Sequence, residues 1–374
     1  MLLKMYCKRI KNIFNINIKL FKNLDISIIV LSVIISVIGG INILSATSQN
    51  YATKHFFWLA ISLIAVIFII LVDYSIVINC APILYWSTVL LLIATRFIGS
   101  EINGAKGWIR VGGVSIQAAE FAKLGIIIML AKKLNHMNEG INNIKNFIIL
   151  CIYAAIPMVL ILVQPDMGMT MVCFFTVLGI FFMSGLNLKV ILGGFGSLII
   201  SIMLVWNTSI MRPYWKARLI SFLNPEKYVK DYGFQLYHSL IAIGSGGIFG
   251  VGWGNGVSFK TIPESHTDFI FAVIGEEWGL IGCIFLILLY SCLIIKFINI
   301  AKTAKDIFGK VVCIGITSSL MFSIIQNIGM NIGIMPITGI PLPLVSYGGS
   351  SMLTNFLGIG LVLSIGIRHN KINF

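Results

Sequence analysis

The stretch Ile26-Ser-Ile-Ile-Val-Leu-Ser-Val-Ile-Ile-Ser-Val-Ile-Gly-Gly-Ile-Asn-Ile-Leu-Ser-Ala46 decides the class of fold. It contains no charged residue over a length that, as an α-helix, crosses a hydrocarbon layer about 30 Å thick. Further apolar runs of similar length follow it along the chain. Together they predict ten transmembrane helices, at about 26–46, 53–72, 75–95, 117–135, 145–164, 169–184, 188–205, 266–298, 307–330 and 350–367.

Composition supports a membrane protein. The 374 residues are 58% hydrophobic and 11% charged, whereas soluble domains carry about 25% charged residues. A soluble fold could not bury so much apolar surface. We therefore predict an all-α, polytopic integral membrane protein with a single transmembrane domain over 26–367.

Basic residues indicate the topology. The chain has a net charge of +14, and most Lys and Arg lie in the leader 1–25, between predicted helices on one side, or in the tail 368–374. The positive-inside rule then places both termini in the cytoplasm, where these residues meet anionic membrane lipids rather than nucleic acid. The first helix is expected to be retained, because its apolar run is too long for a signal peptide.

Three polar or irregular segments fall outside in this topology: 96–116, the long 206–265 segment and 331–349. Most acidic residues lie in or beside them, so any chemistry is expected on this face. The 206–265 segment is too long for a simple linker, although a folded cap without a site remains an alternative. None of the seven cysteines lies in a predicted external loop, so neither a disulfide framework nor a metal site is implied.

The densest polar segment, Pro263-Glu-Ser-His-Thr-Asp268, precedes the eighth predicted helix. Asp268 allows two interpretations. Ser265 and Asp268 have the spacing of a capping box, so Asp268 could merely satisfy helix amides. Alternatively, an acid at the opening of an apolar helix marks a functional site.

Charged residues within predicted helices include Glu120, Lys123, Glu276 and Glu277, and an unpaired charge is costly there. Glu120 and Lys123 are three residues apart and share a helix face, which predicts a structural ion pair, with catalysis as the alternative. Glu276 and Glu277 interrupt the eighth helix and are predicted to be structural, bonded to neighbouring helices.

The first external segment contains Lys106, Trp108 and Arg110. Trp108 suits the aromatic belt of a membrane interface, while the two cations suit either lipid headgroups or a substrate phosphate. The nearby Gln164-Pro-Asp166 is interpreted as a turn that ends a helix.

The stretch 333–351, which covers most of the last external segment and the start of the tenth helix, is apolar, and three prolines keep it from being helical. Such backbone cannot face lipid, so it must pack in protein or line a cavity. Its end opens the tenth helix, whose N-terminal amides suit either a phosphate or an ordinary cap. The residues concerned are Ser346, Gly348, Gly349, Ser350 and Ser351.

Together these segments resemble the SEDS family (shape, elongation, division and sporulation) of bacterial peptidoglycan glycosyltransferases. The resemblance runs from the first helix to the last. The sequence around Pro341 is closer to that of the elongation member of the family than to that of the division member. Two departures are Gln117-Ala-Ala-Glu120, where the family has Gln-Pro-Ser-Glu, and His238, where Gln is usual. The matching runs are Gly107-Trp-Ile-Arg110, Gln164-Pro-Asp166, Gly244-Ser-Gly-Gly247, Pro263 to Glu277 and Pro341 to Ser351.

The resemblance implies polymerisation of lipid II on the outer face of the bacterial cytoplasmic membrane, with undecaprenyl pyrophosphate leaving. It implies that Asp268 is the catalytic base and that a class B penicillin-binding protein transpeptidase is the partner. A divalent cation, Mg²⁺ or Mn²⁺, could accompany the pyrophosphate, but no ligand cluster demands one. The candidate substrate-binding residues are Lys106, Trp108, Arg110, Arg212, Arg218, Lys260, Glu264, His266, Ser346, Gly348, Gly349, Ser350 and Ser351.

Two other classes remain open at this stage. A transporter or lipid flippase would also use charges within the membrane, although transporters more often place them at the midplane within repeats. A scaffold that only recruits a partner enzyme is the third class.

Overall fold

The computed structural model describes residues 23–102, 105–111, 114–137, 139–205 and 213–368. These form twelve α-helices, and each of the ten predicted spans coincides with one of them to within a few residues. Seven of these described helices are long and apolar enough to cross a membrane: α1, α2, α3, α5, α10, α11 and α12. The helices are α1 Ile26–Ala46, α2 Gln49–Leu71, α3 Tyr74–Ile98, α4 Ala118–Asn135, α5 Ile144–Val163, α6 Met167–Met183, α7 Leu188–Val205, α8 Pro213–Leu223, α9 Phe234–Gly246, α10 Ile270–Thr303, α11 Ile307–Asn331 and α12 Gly349–Ile367.

Two helices form the centre of the bundle. In the most apolar stretch of each helix, 83% of the residues of α12 and 72% of those of α11 are buried, whereas only 22% are buried in α3 and in α5. Helix α12 packs mainly on α2, while α11 packs on α4, α6 and α10. The outer helices therefore present apolar side chains to their surroundings, as expected where lipid is the solvent.

The prediction of an all-α chain is wrong for one segment that was predicted to be external. Three short antiparallel strands, β1 Ser100–Ile102, β2 Ala105–Val111 and β3 Val114–Gln117, form a sheet in the order β1-β2-β3. Strand β3 runs directly into α4, with Gln117 as the N-cap residue. The sheet escaped prediction because strands this short leave almost no alternating pattern in the sequence.

The long segment between α7 and α10 is folded. It contains α8 and α9, and 3₁₀ turns at Pro225–Tyr228 and Ser258–Thr261. Helix α9 packs along the start of α10. A simple linker is therefore excluded for the described part, and Arg212 lies outside the described residues.

Helix α10 is broken within its length. Gly279 has φ 64° and ψ −164°, so two helical parts meet there. A Cβ at this position would lie 2.4 Å from the backbone nitrogen of Gly250, so only glycine allows the contact. The break separates the part that follows Asp268 from the longer part that spans the bundle.

Candidate active site

Asp268 does not cap α10. The helix begins at Ile270, its N-cap residue is Phe269, and no side chain caps it. The capping-box interpretation is therefore wrong. Since no described residue donates a hydrogen bond to the Asp268 carboxylate, that group is not committed to holding the helix.

The backbone of Asp268 is held firmly. Its carbonyl oxygen accepts hydrogen bonds from the side-chain amides of Asn327, at 2.8 Å, and Asn331, at 3.2 Å. The same Asn327 amide donates to the carbonyl of Ile340 at 2.8 Å. Helix α11 thus ties Asp268 to the segment 333–348. Sequence reasoning did not identify these asparagines, although polar residues within an apolar helix were the available signal.

The segment 333–348 packs directly against the Asp268 carboxylate. Gly339 has φ +72°, and a Cβ on it would lie 3.3 Å from Asp268 Oδ2. The segment also contacts α6, because a Cβ on Gly168 would lie 2.7 Å from the carbonyl oxygen of Thr338. The backbone of residues 338–339 is therefore close to both Asp268 and the first turn of α6.

A second acid, Asp166, begins that turn. It is the N-cap of α6, where it accepts a hydrogen bond from the amide of Met169 at 3.0 Å. Its other oxygen accepts from Gln117 Nε2 at 2.7 Å. The sequence identified Asp166 only as part of a helix stop, and its position near Asp268 follows from the packing of α6.

The ionisation of Asp268 reflects these surroundings. Burial, together with the negative charges of Glu264 and Asp166, raises the pKa of Asp268 to about 7, although the positive charge of Arg218 lowers it. Burial also raises the pKa of Asp166 above its ordinary value. A carboxyl group with a pKa near 7 can accept and release a proton at neutral pH, which suits a general base.

Among the predicted cations that the structure describes, Arg218 is the one whose positive charge acts on the Asp268 carboxyl group. It lies on α8, and its Nη1 donates to the carbonyl of Ile337 at 3.1 Å. Arg110 is exposed on β2 and Lys260 is exposed in a 3₁₀ turn. Among the described residues, no hydrogen bond or ion pair connects either of them to Asp268. Lys106 lies in β2, and its side chain falls outside the described part.

Ser346 and His266 shape the backbone around Asp268. Ser346 Oγ accepts from the amide of Leu342 at 2.7 Å and donates to the carbonyl of Thr267. The amide of Tyr347 donates to the carbonyl of His266 at 3.0 Å. The His266 ring also lies against the rings of Tyr51 and Tyr347.

Glu264 lies one turn before Asp268 and is exposed. Its carboxylate accepts a hydrogen bond from Thr267 Oγ1 at 3.0 Å. Its negative charge raises the pKa of both Asp268 and His266. Burial lowers the pKa of His266, and the charge of Glu264 partly offsets this effect.

The opening of α12 is engaged with protein. Ser350 is buried, and its Oγ accepts from the amide of Gln117 at 3.3 Å. A Cβ on Gly349 would lie 2.3 Å from the ring of Trp58, so this glycine allows close packing with α2. The side-chain amide of Asn355 donates to both the carbonyl and the Oγ of Ser351. Gly348 is the N-cap residue and supplies no side-chain cap.

The predicted pair of Glu120 and Lys123 is present. Lys123 Nζ lies 2.9 Å from Glu120 Oε2, and both side chains are buried. Glu120 also accepts from Thr354 Oγ1 at 2.9 Å, which links α4 to α12. A small cavity of about 10 Å³ lies beside Lys123, which is room for about one water molecule.

The prediction that both deeper glutamates bond to neighbouring helices is confirmed for Glu277 and wrong for Glu276. Glu276 accepts hydrogen bonds from the backbone amides of residues 257, 258 and 259, each at 2.8 Å, rather than from a neighbouring helix. Glu277 accepts from Ser45 Oγ of α1 and from the amide of Gly254. Both carboxylates therefore support the glycine-rich segment before α10.

Trp108 lies half-buried in β2, paired with Gln117 of β3. The sheet packs on the turn before α6, because a Cβ on Gly107 would lie 3.1 Å from Gln164 Oε1. The sheet thereby places Gln117 against Asp166. Within the described residues, no group of three or more His, Cys, Asp or Glu side chains could hold a metal ion.

Comparison with known proteins identifies the family. The FtsW/RodA/SpoVE family, described as cell cycle protein, matches residues 18–371. The chain is 37% identical to the peptidoglycan glycosyltransferase MrdB of Escherichia coli K12 over 76% of this chain and 77% of that protein. It is 34% identical to the stage V sporulation protein E of Bacillus subtilis, over 91% and 96% of the two chains.

A solved structure gives the same result. The chain matches one from a peptidoglycan synthase complex, described in terms of polymerisation and crosslinking, with a TM-score of 0.81 and 28% identity over 92% of this chain and 98% of that one. The class defined by fold and sequence is thus a polytopic integral membrane glycosyltransferase. The chain belongs to the FtsW/RodA/SpoVE family.

Proposed function

We propose that this peptidoglycan glycosyltransferase polymerises lipid II into glycan strands and that Asp268 is the general base. The observation that carries the proposal is the Asp268 carboxylate, which is fixed through its backbone by Asn327 and Asn331 yet accepts no hydrogen bond from any described residue. Its pKa of about 7 suits proton removal from an acceptor sugar hydroxyl.

The proposed reaction joins the acceptor hydroxyl oxygen to the anomeric carbon of the donor. Asp268 takes the hydroxyl proton, and the bond between the anomeric carbon and the pyrophosphate oxygen breaks. Undecaprenyl pyrophosphate leaves with the electron pair. Arg218 is proposed to stabilise the developing negative charge, because among the described residues it is the cation whose positive charge acts on Asp268.

The depth of Asp268 supports a lipid-linked substrate. Lys296 and Asp25 form an ion pair of 2.9 Å at the opposite end of α10. The unbroken part of α10, from Lys296 to Leu280, is about 24 Å long at 1.5 Å per residue. Asp268 lies beyond the break at Gly279, and with a hydrocarbon core about 30 Å thick we propose that it lies near the headgroups, where the pyrophosphate of a lipid-linked sugar also lies.

We further propose ten spans, cytoplasmic termini and an active site facing outside the cytoplasmic membrane. The distribution of Lys and Arg supports this orientation. A class B penicillin-binding protein is the proposed partner, in line with the synthase complex to which the fold is similar. The amino-acid sequence around Pro341 supports a role in cell elongation. Expression of this chain in a mutant that has lost its rod shape would test this role, with recovery of growth as a rod as the expected result.

Purified protein incubated with lipid II provides the test of function. Wild-type protein is expected to form glycan polymer, and Asp268→Asn to lose at least about 100-fold in rate, because an amide has no useful proton affinity. Asp231→Asn, an exposed acid elsewhere in the long segment, is the matched control and should stay active. Asp268→Asn with a rate within threefold of wild type, at equal protein level, contradicts the base assignment.

Adding the transpeptidase partner separates the remaining classes. Polymer formed by this chain alone, or by this chain with an inactive transpeptidase, excludes a scaffold. Lipid II that crosses vesicle membranes without forming polymer would instead indicate a flippase.

A further inference from the structure

The segment 247–257 exposes large apolar side chains although it lies in a predicted external loop. Phe249 is 81% exposed, Val257 67%, Ile248 59% and Trp253 51%. The sequence between Asp231 and Lys260 contains no Asp, Glu, Lys or Arg. A loop in water would not combine an uncharged sequence with this much exposed apolar surface.

Two helices show how deep this segment lies. Trp253 Nε1 donates to the carbonyl of Ile41 on α1 at 3.2 Å, and Ile41 lies about 24 Å along that helix from Asp25. On α10, Gly279 lies about 25 Å from Lys296, the partner of Asp25 in the ion pair. Both distances are shorter than the hydrocarbon core of about 30 Å, so the segment reaches acyl-chain depth on the Asp268 side.

The segment is bonded to α10 at this depth. The amides of Val251 and Gly252 donate to the carbonyls of Glu276 and Glu277, at 3.0 and 3.1 Å. In return, Leu280 and Ile281 donate their amides to Gly247 and Ile248, at 2.9 and 3.2 Å. The break at Gly279 makes this exchange possible, because it frees backbone groups from the helix.

The buried carboxylates complete the bonding. Glu276 accepts from the amides of residues 257 to 259, and Glu277 from that of Gly254. Non-helical backbone is tolerated at membrane depth only when its polar groups are satisfied by protein. The Glu276–Glu277 pair, otherwise costly in an apolar helix, meets this requirement.

The exposed side chains continue the lipid-facing surface of α10. Leu280, Ile281, Ile284 and Phe285 are all about half exposed on that helix, and the first two bond directly to the segment. We propose that residues 247–257, here named the wedge, insert among the acyl chains of the membrane leaflet on the Asp268 side. The wedge anchors the start of α10, and thereby Asp268, at a set height above the hydrocarbon core.

Photo-crosslinking to lipid tests the wedge. p-Benzoylphenylalanine is placed at Phe249, at Val257 and, as a control, at Asp231, in full-length protein reconstituted into phosphatidylglycerol–phosphatidylethanolamine vesicles. After irradiation, the phospholipid adduct is measured by intact-protein mass spectrometry. Phe249 and Val257 are expected to give several-fold more adduct than Asp231.

Equal amounts of adduct at all three positions, or adduct at Asp231 alone, would overturn the proposal and show that the wedge is exposed to water rather than inserted in lipid. Two positions are used so that a folding defect at one leaves the other informative, and Phe249 is replaced by another aromatic residue. The readout needs neither lipid II nor catalysis, so its outcome is independent of the proposed function.

Discussion

At the scale of single residues, Asp268 shows how the surroundings of one carboxyl group determine its chemistry. Its backbone is fixed by two asparagines, while burial and nearby acids raise the pKa of its side chain to about 7. The local spacing with Ser265 would equally fit a helix cap. Only the start of α10 at Ile270 separates the two interpretations.

The raised pKa of Asp268 predicts a pH dependence. A general base works when deprotonated, so the polymerisation rate should fall about tenfold per pH unit below about pH 7. Glu264→Gln removes a negative charge that raises this pKa, so the midpoint should move to lower pH. Rates of polymer formation measured from about pH 5 to pH 9 test this. Glu226→Gln, at another exposed acid, is the control, and identical midpoints in all three proteins would contradict the role of Glu264.

The buried pair of Glu120 and Lys123 predicts unequal effects of its two single mutations. Lys123→Ala leaves a buried carboxylate without its cation and should cost about 3 to 5 kcal/mol. Glu120→Gln should cost less, because the amide oxygen can still accept from Thr354. Thermal unfolding and folded yield in detergent measure both, and the double variant should partly recover. Normal stability of all three variants would show that the pair is not structural.

At the scale of elements, the break in α10 lies between the segment that carries Asp268 and the longer helical part that follows. Residues on both sides of Gly279 bond to the wedge, and the carboxylates of Glu276 and Glu277 bond to its amides. The start of α10 therefore depends on the wedge as well as on α11.

Gly279→Ala should destabilise this junction. The new Cβ would lie 2.4 Å from the nitrogen of Gly250, at a backbone φ of +64° that alanine adopts only with strain, which alone costs about 1 to 3 kcal/mol. We expect a lower thermal midpoint and reduced polymerisation. Gly244→Ala on α9 is the control, because no atom lies within 4 Å of the Cβ built there. Equal stability of the two variants would contradict the tight contact at Gly279.

At the scale of the whole molecule, charges mark the two ends of the bundle. Asp25 with Lys296, and Asp73 with Arg368, form ion pairs at one end, and Asp268, Glu264 and Arg218 lie toward the other. This separation supports an orientation in which the basic end is cytoplasmic.

Cysteine labelling tests that orientation. In intact spheroplasts, a membrane-impermeant maleimide should react with Glu226→Cys and not with Thr303→Cys, while both should react after lysis. Glu226 and Thr303 are both exposed, so access within the protein is not limiting. The reverse pattern would place Asp268 in the cytoplasm and contradict polymerisation outside the cell. The chain without an added cysteine provides the background.

The sequence by itself determined the membrane class, the positions of the ten main helices and the family, and the last prediction is confirmed by the match over residues 18–371. Hydropathy is a local property, so runs such as 26–46 define helices without knowledge of their neighbours. The spacing of Glu120 and Lys123 was also sufficient to predict their ion pair, because residues three apart on a helix share a face.

Only the tertiary structure decided what surrounds Asp268. The sheet at 100–117, the contact of Gly339 with Asp268 Oδ2 and the bond from Gln117 to Asp166 join segments far apart in the chain. The partners of Glu276 and Glu277 were likewise hidden, since a carboxylate in an apolar helix shows that it needs donors but not where they are. Local sequence patterns determine which segments enter the membrane. The pKa of Asp268, and the fact that its side chain does not cap a helix, depend instead on the packing of α6, α8, α11 and the segment 333–348 around it.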